Sequence, residues 1–297
     1  MKSRYKSAEG RRLIHETYDR LVSAWNVETE EKDIATKYGA THVITAGNAS
    51  NPPLLLLHGV GDDSALMWIY NAKELARHFR LYAVDTMGGP GKSEPNENYF
   101  KTFDQAGWLD EVVDTLEISG TDIAGVSNGA AMAMNYTVKH PDKVGRVIFM
   151  AAGGYAGMGK MLKFLPAVLF PSEKTARKLM STMGGQNVSM FLNNADIMEH
   201  WGYLLKHFRT TSMMYHKPAR FEDSELIVLK DISLFLLGEE DGLADLPKAE
   251  QWYKTNKFYY KVVKNAGHGI NHQQPELINK EIVDYLSTTA VGSSGCC

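Results

Sequence analysis

Runs of apolar residues alternate with helical patterns along most of the chain. Six runs have the length and composition of buried strands, at 53–57, 81–85, 121–126, 144–151, 232–237 and 258–263. Helical spacing occupies the stretches at about 65–78, 104–118, 128–140, 243–255 and 275–287. Because parallel strands need crossover helices, this alternation predicts an α/β fold with a mostly parallel central sheet flanked by helices.

The first 45 residues predict a different local arrangement. Residues 1–32 are expected to form a helical lead-in, and two strand-like stretches follow at 34–38 and 41–45. Gly39 interrupts these stretches, and a short break that contains glycine favours a hairpin. We therefore expect an antiparallel pair at one edge of the sheet.

The alternation of strands and helices fails between about 155 and 222. This region has helical stretches, no convincing strand, and 8 of the 14 methionines of the chain. Methionine adapts its shape to varied apolar ligands, although packing between helices explains any single methionine equally well. Collectively, the methionines suggest a pocket.

Composition and charge exclude several classes of protein. The 297 residues are 44% hydrophobic and 23% charged, which is ordinary for a globular protein. A net charge of −3 without a concentrated Lys/Arg face predicts no nucleic-acid partner. No window approaches the roughly 18 apolar residues of a membrane helix, and the amino terminus leads into no signal-like segment, so we expect a cytoplasmic protein.

The cysteines and histidines indicate neither a metal site nor a disulfide framework. Cys296 and Cys297 are the only cysteines and lie adjacent in a Gly/Ser-rich tail. No histidine shows metal-binding spacing with carboxylates. We therefore expect no metal and no cofactor.

Residues 121–134, TDIAGVSNGAAMAM, place a serine between two glycines at the junction of a predicted strand and helix. Gly125 and Gly129 leave room for a sharp turn that thrusts the Ser127 side chain outward. This arrangement resembles the nucleophile elbow of the α/β-hydrolases. The alternative is an ordinary strand-to-helix loop in which the serine caps the helix.

A serine nucleophile needs a histidine base and a carboxylate that orients the base. His268 is the candidate base because it lies in the glycine-rich loop after the last strand, in KNAGHG. The preceding strand ends in LLGEED, where we rank Asp241 first and Glu240 second as the acid. A solvated acidic turn is the alternative for these carboxylates, and His272 is expected to be a surface-loop residue.

The segment LLLLHGVGDD ends the first apolar strand and predicts a site for an oxyanion. A tetrahedral intermediate needs preorganised backbone N–H donors, and we expect these from Val60 and Asn128. His58 is expected to stabilise the loop itself. The segment TMGGPGKS at 86–93 lacks the first glycine of a phosphate-binding loop, so Asp85 and Ser93 are interpreted as loop-stabilising residues instead.

Together, LLLLHGVG, VDTMGGPGKS, GVSNGA, LLGEEDG and KNAGHG make residues 33–287 similar to α/β-hydrolases. The opening ETYDRLVSAWNVETEEKDIATKYGATHVITAG more narrowly resembles bacterial carboxylesterases of the naproxen-esterase type. The resemblance implies an α/β-hydrolase fold, a Ser127–Asp241–His268 triad, and an oxyanion hole from Val60 and Asn128. It also implies a core of 33–153 and 223–288, a helical cap or lid at 154–222 and a flexible tail at 289–297.

The function expected from these features is that of a serine carboxylesterase acting through an acyl-enzyme. The methionine-rich cap predicts small to medium apolar or aryl esters, with pocket residues that include Gly59, Gly61, Met158, Trp201 and Tyr203, and Phe208 as a further wall residue. C–C bond hydrolysis, acyl transfer and perhydrolysis use the same triad and stay open as alternatives. A ligand-binding protein without catalysis is a further alternative, and the oligomeric state is open, a homodimer included.

Overall fold

The protein is built around one mixed β-sheet, seen in a computed structural model that describes residues 3–152, 167, 169–170, 172–185, 187–217 and 219–287. The sheet has the order β1-β2-β4-β3-β6-β7-β8-β9, and β5 pairs with β2. The strands are β1 (Thr29–Thr36), β2 (Gly39–Ala46), β3 (Pro53–Leu57), β4 (Arg80–Val84), β5 (Glu94–Pro95), β6 (Thr121–Val126), β7 (Val144–Met150), β8 (Ser233–Gly238) and β9 (Tyr259–Val263).

Pairing is antiparallel at one edge of the sheet and parallel across the rest. β2 pairs antiparallel with β1, β4 and β5, whereas every neighbouring pair from β4 to β9 is parallel. The predicted parallel core and antiparallel edge are therefore both observed. The carboxyl ends of β3, β6, β8 and β9 consequently share one edge of the sheet, where open α/β sheets carry their sites.

Helices cover both faces of this sheet. They are α1 (Ala8–Ser23), α2 (Ser64–Met67), α3 (Ala72–Leu75), α4 (Tyr99–Thr102), α5 (Gln105–Leu116), α6 (Asn128–Lys139), α7 (Glu173–Gly184), α8 (Ser189–Leu192), α9 (Ala195–His207), α10 (Leu246–Asn256), α11 (Ile270–Gln273) and α12 (Pro275–Ser287). One apolar cluster lies on each face of the sheet. Leu54 and Leu56 of β3 belong to the first cluster, and Leu55 and Leu57 belong to the second, on the opposite face. Burial on both faces explains the unbroken apolar runs of the central strands.

Two predicted boundaries differ from the structure. Residues 29–32 belong to β1 and not to the helical lead-in. The sequence did not indicate this strand because it lies at the sheet edge, where its side chains are mostly polar and exposed and do not alternate with apolar ones. The single helix predicted at about 65–78 is two short helices, α2 and α3. Between them, the buried Asn71 side chain forms hydrogen bonds with Asn279 and Asn271. These partners are distant in sequence, so helical spacing could not predict the break.

The region between β7 and β8 is helical in its described part, as predicted. It contains α7, α8, α9 and a 3₁₀ turn at Thr210–Met213. Its helix α9 packs along α1, and backbone hydrogen bonds join Lys6 to His207 and Arg209 to Arg4. Met158 and the whole predicted tail at 289–297, with its two cysteines, lie outside the described residues.

The close contact between β6 and α6 makes Gly125 intolerant of a side chain. A Cβ at this position would lie 2.5 Å from the carbonyl oxygen of Gly129 and 2.7 Å from the amide nitrogen of Ala130, both backbone atoms. We expect Gly125→Ala to lower the free energy of unfolding by about 1–3 kcal/mol, measured by urea denaturation.

Gly202→Ala is the matched control for this prediction. Among the described residues outside its own helix, none has an atom within 4 Å of a Cβ placed at Gly202 in the interior of α9. We expect this change to raise the free energy of unfolding by about 0.5–1 kcal/mol because alanine favours the helix. Equal effects of the two substitutions would contradict the packing argument.

Candidate active site

Ser127 occupies a sharp turn between β6 and α6. Its backbone has φ 55° and ψ −113°, a conformation that non-glycine residues rarely adopt. The Ser127 amide donates to the Met150 carbonyl at 2.8 Å, which holds the turn against β7. A Cβ on Gly129 would overlap the carbonyl oxygen of Leu57, so only glycine lets α6 begin this close to β3. The Ser127 side chain therefore stands at the carboxyl edge of the sheet.

His268 and Asp241 extend from Ser127 as a hydrogen-bonded chain. The Ser127 Oγ lies 2.9 Å from His268 Nε2, and His268 Nδ1 lies 2.9 Å from Asp241 Oδ2. A carboxylate oxygen accepts, so the hydrogen belongs on Nδ1 and Nε2 is the atom that can accept the serine proton. The structure brings together the three residues selected from the sequence, in the order required for nucleophilic chemistry.

Asp241 is held in an environment that keeps it ionised. Its side chain is 3% exposed, and burial alone raises the pKa of a carboxyl. The hydrogen bond from His268 and the N–H groups of Leu243 and Ala244 outweigh this effect and lower the Asp241 pKa below its usual value. Asp241, and not Glu240, bonds to His268, whereas the Glu240 carboxylate lies beside Gly185.

The oxyanion loop, defined here as residues 58–63, connects β3 to α2. His58 is buried; its Nε2 accepts from the Thr86 N–H at 2.8 Å, and its Nδ1 donates to the Gly59 carbonyl at 2.8 Å. His58 therefore stabilises the loop, as the sequence suggested. Val60 and Asn128 line the same cavity as Ser127, and their assignment as oxyanion donors stays a prediction.

A cavity of about 640 Å³ opens beside Ser127 and takes its walls from both apolar clusters. On the side of the first cluster its lining is apolar and includes Met67, Met180, Met183, Phe191 and Trp201. On the side of the second cluster it includes Met134, Phe221, Leu226, Phe235, Trp252 and Tyr253, together with the polar Gln105 and His216. The cavity therefore lies at the carboxyl edge of the sheet, and residues from both faces of the sheet form its walls.

The predicted pocket residues divide between the cavity and other surroundings. Gly59, Gly61 and Trp201 line the cavity. Tyr203 does not: it lies two positions after Trp201, so it occupies another face of α9, and its hydroxyl donates to Glu199 at 3.0 Å. Phe208 forms a β-bridge with Tyr5 in the core near the amino terminus and also lies away from the cavity.

His272 was wrongly predicted to lie on a surface loop. It is 5% exposed on α11, and its Nε2 donates to the Leu66 carbonyl at 3.0 Å. Burial lowers the His272 pKa to about 4, so this imidazole is neutral and ties α11 to α2. The error arose because a polar sequence after a glycine-rich loop carries no sign of tertiary burial.

Gln273 is a supporting residue that the sequence analysis missed. Its Oε1 accepts from the Gly267 N–H at 2.7 Å, and its Nε2 donates to the carbonyls of Gly184 and Asn187 at 2.6 Å. The His268 N–H also donates to the Met183 carbonyl at 2.9 Å. Hydrogen bonds therefore join the loop that carries His268 to the end of α7. The sequence analysis missed them because a local sequence pattern does not predict contacts between segments that are distant in the chain.

His216 and Asp62 are two titratable residues of the cavity lining whose pKa values are shifted. His216 receives a hydrogen bond from Gln105 on Nδ1 and donates from Nε2 to the Met87 carbonyl; burial lowers its pKa to about 4. Asp62, two residues after Val60, accepts from the Asp63 N–H at 2.8 Å. Burial and the adjacent Asp63 carboxylate raise the Asp62 pKa well above its usual value. Both shifts favour the uncharged forms of these two side chains.

Comparisons with known proteins agree with this architecture. Residues 52–198 match a family model described as the alpha/beta hydrolase fold. Carboxylesterase YbfK of Bacillus subtilis is 26% identical over 296 residues, 95% of this chain and 96% of that protein. The crystal structure of B. subtilis carboxylesterase CesB (YbfK) superposes with a TM-score of 0.82 at 24% identity, covering 94% of this chain and 99% of that one.

Naproxen esterase (carboxylesterase NP) from B. subtilis is similar to the same extent. Its crystal structure superposes with a TM-score of 0.80 at 24% identity over 95% of this chain and 100% of that one. The α/β-hydrolase fold and the resemblance to bacterial carboxylesterases, both expected from the sequence, are confirmed. Among the helices of the described residues, none has the length and apolar content needed to cross a membrane.

The geometry predicts that Asp241 and Glu240 contribute unequally to the reactivity of Ser127. We expect Asp241→Asn to slow labelling of Ser127 by a fluorophosphonate by about 10³–10⁴-fold, because the amide no longer favours the required histidine tautomer. Glu240→Gln is the matched control and should label within about threefold of wild type, since it leaves the hydrogen bond between Asp241 and His268 intact. The reverse order would identify Glu240 as the acid.

The raised Asp62 pKa predicts a pH-dependent effect on stability. Because the Asp62 pKa is higher in the folded protein than its value of about 4 in the unfolded chain, the folded protein keeps this proton to a higher pH, and the group lowers stability as the pH rises. We therefore expect Asp62→Asn to stabilise the protein more at pH about 7.5 than at pH about 4.5, measured by urea denaturation. An identical change at both pH values would show that Asp62 ionises normally.

Proposed function

We propose that this chain, which has the α/β-hydrolase fold, is a serine carboxylesterase that acts on small to medium apolar or aryl esters. The observation that carries the proposal is the hydrogen-bonded chain of Ser127, His268 and Asp241 beside a large, mainly apolar cavity. Similarity over nearly the whole chain to carboxylesterase YbfK and naproxen esterase supports esters as the substrate class.

The reaction follows from the proton positions in the site. His268 Nε2 takes the Ser127 proton as Oγ attacks the ester carbonyl carbon, and the tetrahedral intermediate then forms. Its collapse breaks the bond to the alkoxy oxygen, which receives the proton from His268 and leaves as the alcohol. Water then attacks the acyl-enzyme with His268 again as the base, releasing the carboxylic acid and restoring Ser127.

One side chain and two backbone N–H groups stabilise the charges that develop in this mechanism. Asp241 orients the His268 ring and stabilises the imidazolium that forms when Nε2 accepts the proton. The Val60 and Asn128 N–H groups are assigned to the developing oxyanion. Both residues adjoin the cavity at Ser127, and Asn128 is the first residue of α6, where the helix N-terminus favours negative charge.

The cavity supports an uncharged substrate of moderate size. Its volume of about 640 Å³ lies within the usual range for sites that enclose a small organic molecule. Methionine and aromatic side chains form much of the wall, and these accommodate alkyl and aryl groups of varied shape. We assign the described helices α7 to α9 as the cap of this cavity, because Met180, Met183, Phe191 and Trp201 belong to them.

The alternative reactions differ in substrate and not in the groups at Ser127. C–C bond hydrolysis, acyl transfer and perhydrolysis would use the same serine, histidine and acid, so a substrate panel separates them from ester hydrolysis. A purely ligand-binding role is less well supported, because binding has no need of a base aligned on Ser127. The cytoplasmic location and the homodimer stay predictions.

We expect wild type to hydrolyse p-nitrophenyl acetate, butyrate and octanoate, with a decline toward palmitate. Ser127→Ala should lower turnover by at least about 10³-fold because the nucleophile is lost. Ser181→Ala is the matched control: this exposed serine on α7 bonds only within its own helix, to the Arg177 carbonyl, and turnover should be unchanged. Wild type that cleaves none of these esters would redirect the assignment to the alternative reactions.

A further inference from the structure

A buried hydrogen-bonded chain links the amino-terminal helix to the end of the oxyanion loop. His200 on α9 lies between Thr17 of α1 and Asp63, the last residue of the loop. Its Nδ1 is 2.6 Å from Thr17 Oγ1, and its Nε2 is 2.8 Å from Asp63 Oδ2. The side chains of His200 and Asp63 are 0% exposed. Removing a carboxylate and an imidazole from water costs free energy, and the hydrogen bonds between them offset part of that cost.

The hydrogen-bond partners determine how this chain is polarised. The Asp63 carboxylate can only accept, so His200 Nε2 carries a hydrogen. A ring with this hydrogen on Nε2 accepts at Nδ1, and the Thr17 hydroxyl, 2.6 Å away on α1, is the donor. Burial alone raises the Asp63 pKa, but His200 and the Leu66 N–H outweigh this and keep it below its usual value.

Asp63 anchors the far end of the oxyanion loop. Its Oδ1 accepts from the Leu66 N–H at 3.0 Å and caps α2, while the neighbouring Ser64 N–H donates to Asp85 Oδ1 at 3.0 Å. At the near end, His58 accepts from the Thr86 N–H. Val60 lies between these anchors and between two glycines, so its own stretch of backbone has little intrinsic stiffness.

We infer that His200 is a positioning residue for the oxyanion: through Asp63 it fixes the far end of the loop that presents the Val60 N–H. This inference rests on the proposed esterase function, in which that N–H binds the tetrahedral intermediate. Having no exposed surface, His200 touches no substrate and acts only through Asp63. The insertion between β7 and β8 thereby contributes to transition-state stabilisation as well as to the cavity wall.

The test compares three substitutions on α9. His200→Leu removes the donor to Asp63, whereas His200→Gln retains an amide N–H at a similar distance along the side chain. Glu199→Gln is the matched control, since it weakens the exposed ion pair with Arg20 of α1 at the same helix contact without touching the loop. Urea denaturation of each variant reports separately on stability.

We expect His200→Leu to lower kcat for p-nitrophenyl butyrate by about 10–10²-fold, somewhat less than outright loss of an oxyanion donor. KM should change by less than about threefold, because the Val60 N–H stabilises the oxyanion of the transition state much more than it stabilises the bound ester. The inhibition constant of a trifluoromethyl ketone, whose serine adduct carries an oxyanion, should rise by the same factor as kcat falls. His200→Gln should recover most of kcat, and Glu199→Gln should match wild type.

A folded His200→Leu protein with wild-type kcat and wild-type ketone inhibition would overturn the inference, whatever its stability. Asp63→Asn is measured in parallel, because it changes the group facing His200 and is informative even where His200→Leu does not fold. Wild-type kcat in folded Asp63→Asn would equally overturn the inference.

The parallel wild-type assay separates this inference from the proposed function. If wild type hydrolyses no ester, the esterase proposal fails, and the role of His200 is measured by the rate at which a fluorophosphonate labels Ser127. The phosphoryl oxygen of that adduct occupies the same N–H donors as an oxyanion. At least about tenfold slower labelling in His200→Leu then supports the positioning role, and an unchanged rate overturns it.

Discussion

The site depends on the close approach of α6 to the carboxyl ends of β3 and β6. This contact forces the backbone of Ser127 into a conformation that few non-glycine residues adopt, and it requires glycine at 125 and 129. Because the strain is held by packing on both sides, the Ser127 side chain has a defined direction toward His268. The same approach brings the start of α6 beside residues 58–63, so Ser127 and the proposed oxyanion donors are positioned by one packing constraint.

The remaining groups are held at this edge by contacts between distant segments. Asp241 and His268 follow neighbouring parallel strands, β8 and β9, and the sheet alone brings their loops together. Gln273 and the Met183 carbonyl then bind the histidine loop to α7. The insertion between β7 and β8 therefore contacts two loops of the site: the His268 loop through the carbonyls of Met183 and Gly184, and residues 58–63 through His200.

Electrostatics in the site follows from burial balanced against specific partners. Asp241 stays ionised because His268 and two backbone N–H groups compensate for its burial, whereas burial and the neighbouring Asp63 carboxylate both raise the Asp62 pKa. His216 and His272 are kept neutral by burial at the cavity wall. Burial thus favours the uncharged form of the two imidazoles in the cavity lining, whereas the buried Asp241 keeps its charge.

The linear sequence was sufficient for features that arise from local periodicity and short spacing. Strand and helix periods predicted the parallel sheet, and residues close together in sequence carried the elbow at Ser127, the oxyanion loop and the glycine-rich loop of His268. Features that depend on contacts between distant segments were decided only by tertiary structure. Residues 29–32 pair with β2 at the sheet edge, and Tyr203 lies on a face of α9 other than the one with which Trp201 lines the cavity. His272, Gln273 and His200 are buried and form hydrogen bonds to distant segments. A polar side chain in a loop or on a helix has no sequence period that reveals its partner, because that partner is chosen by how the segments pack.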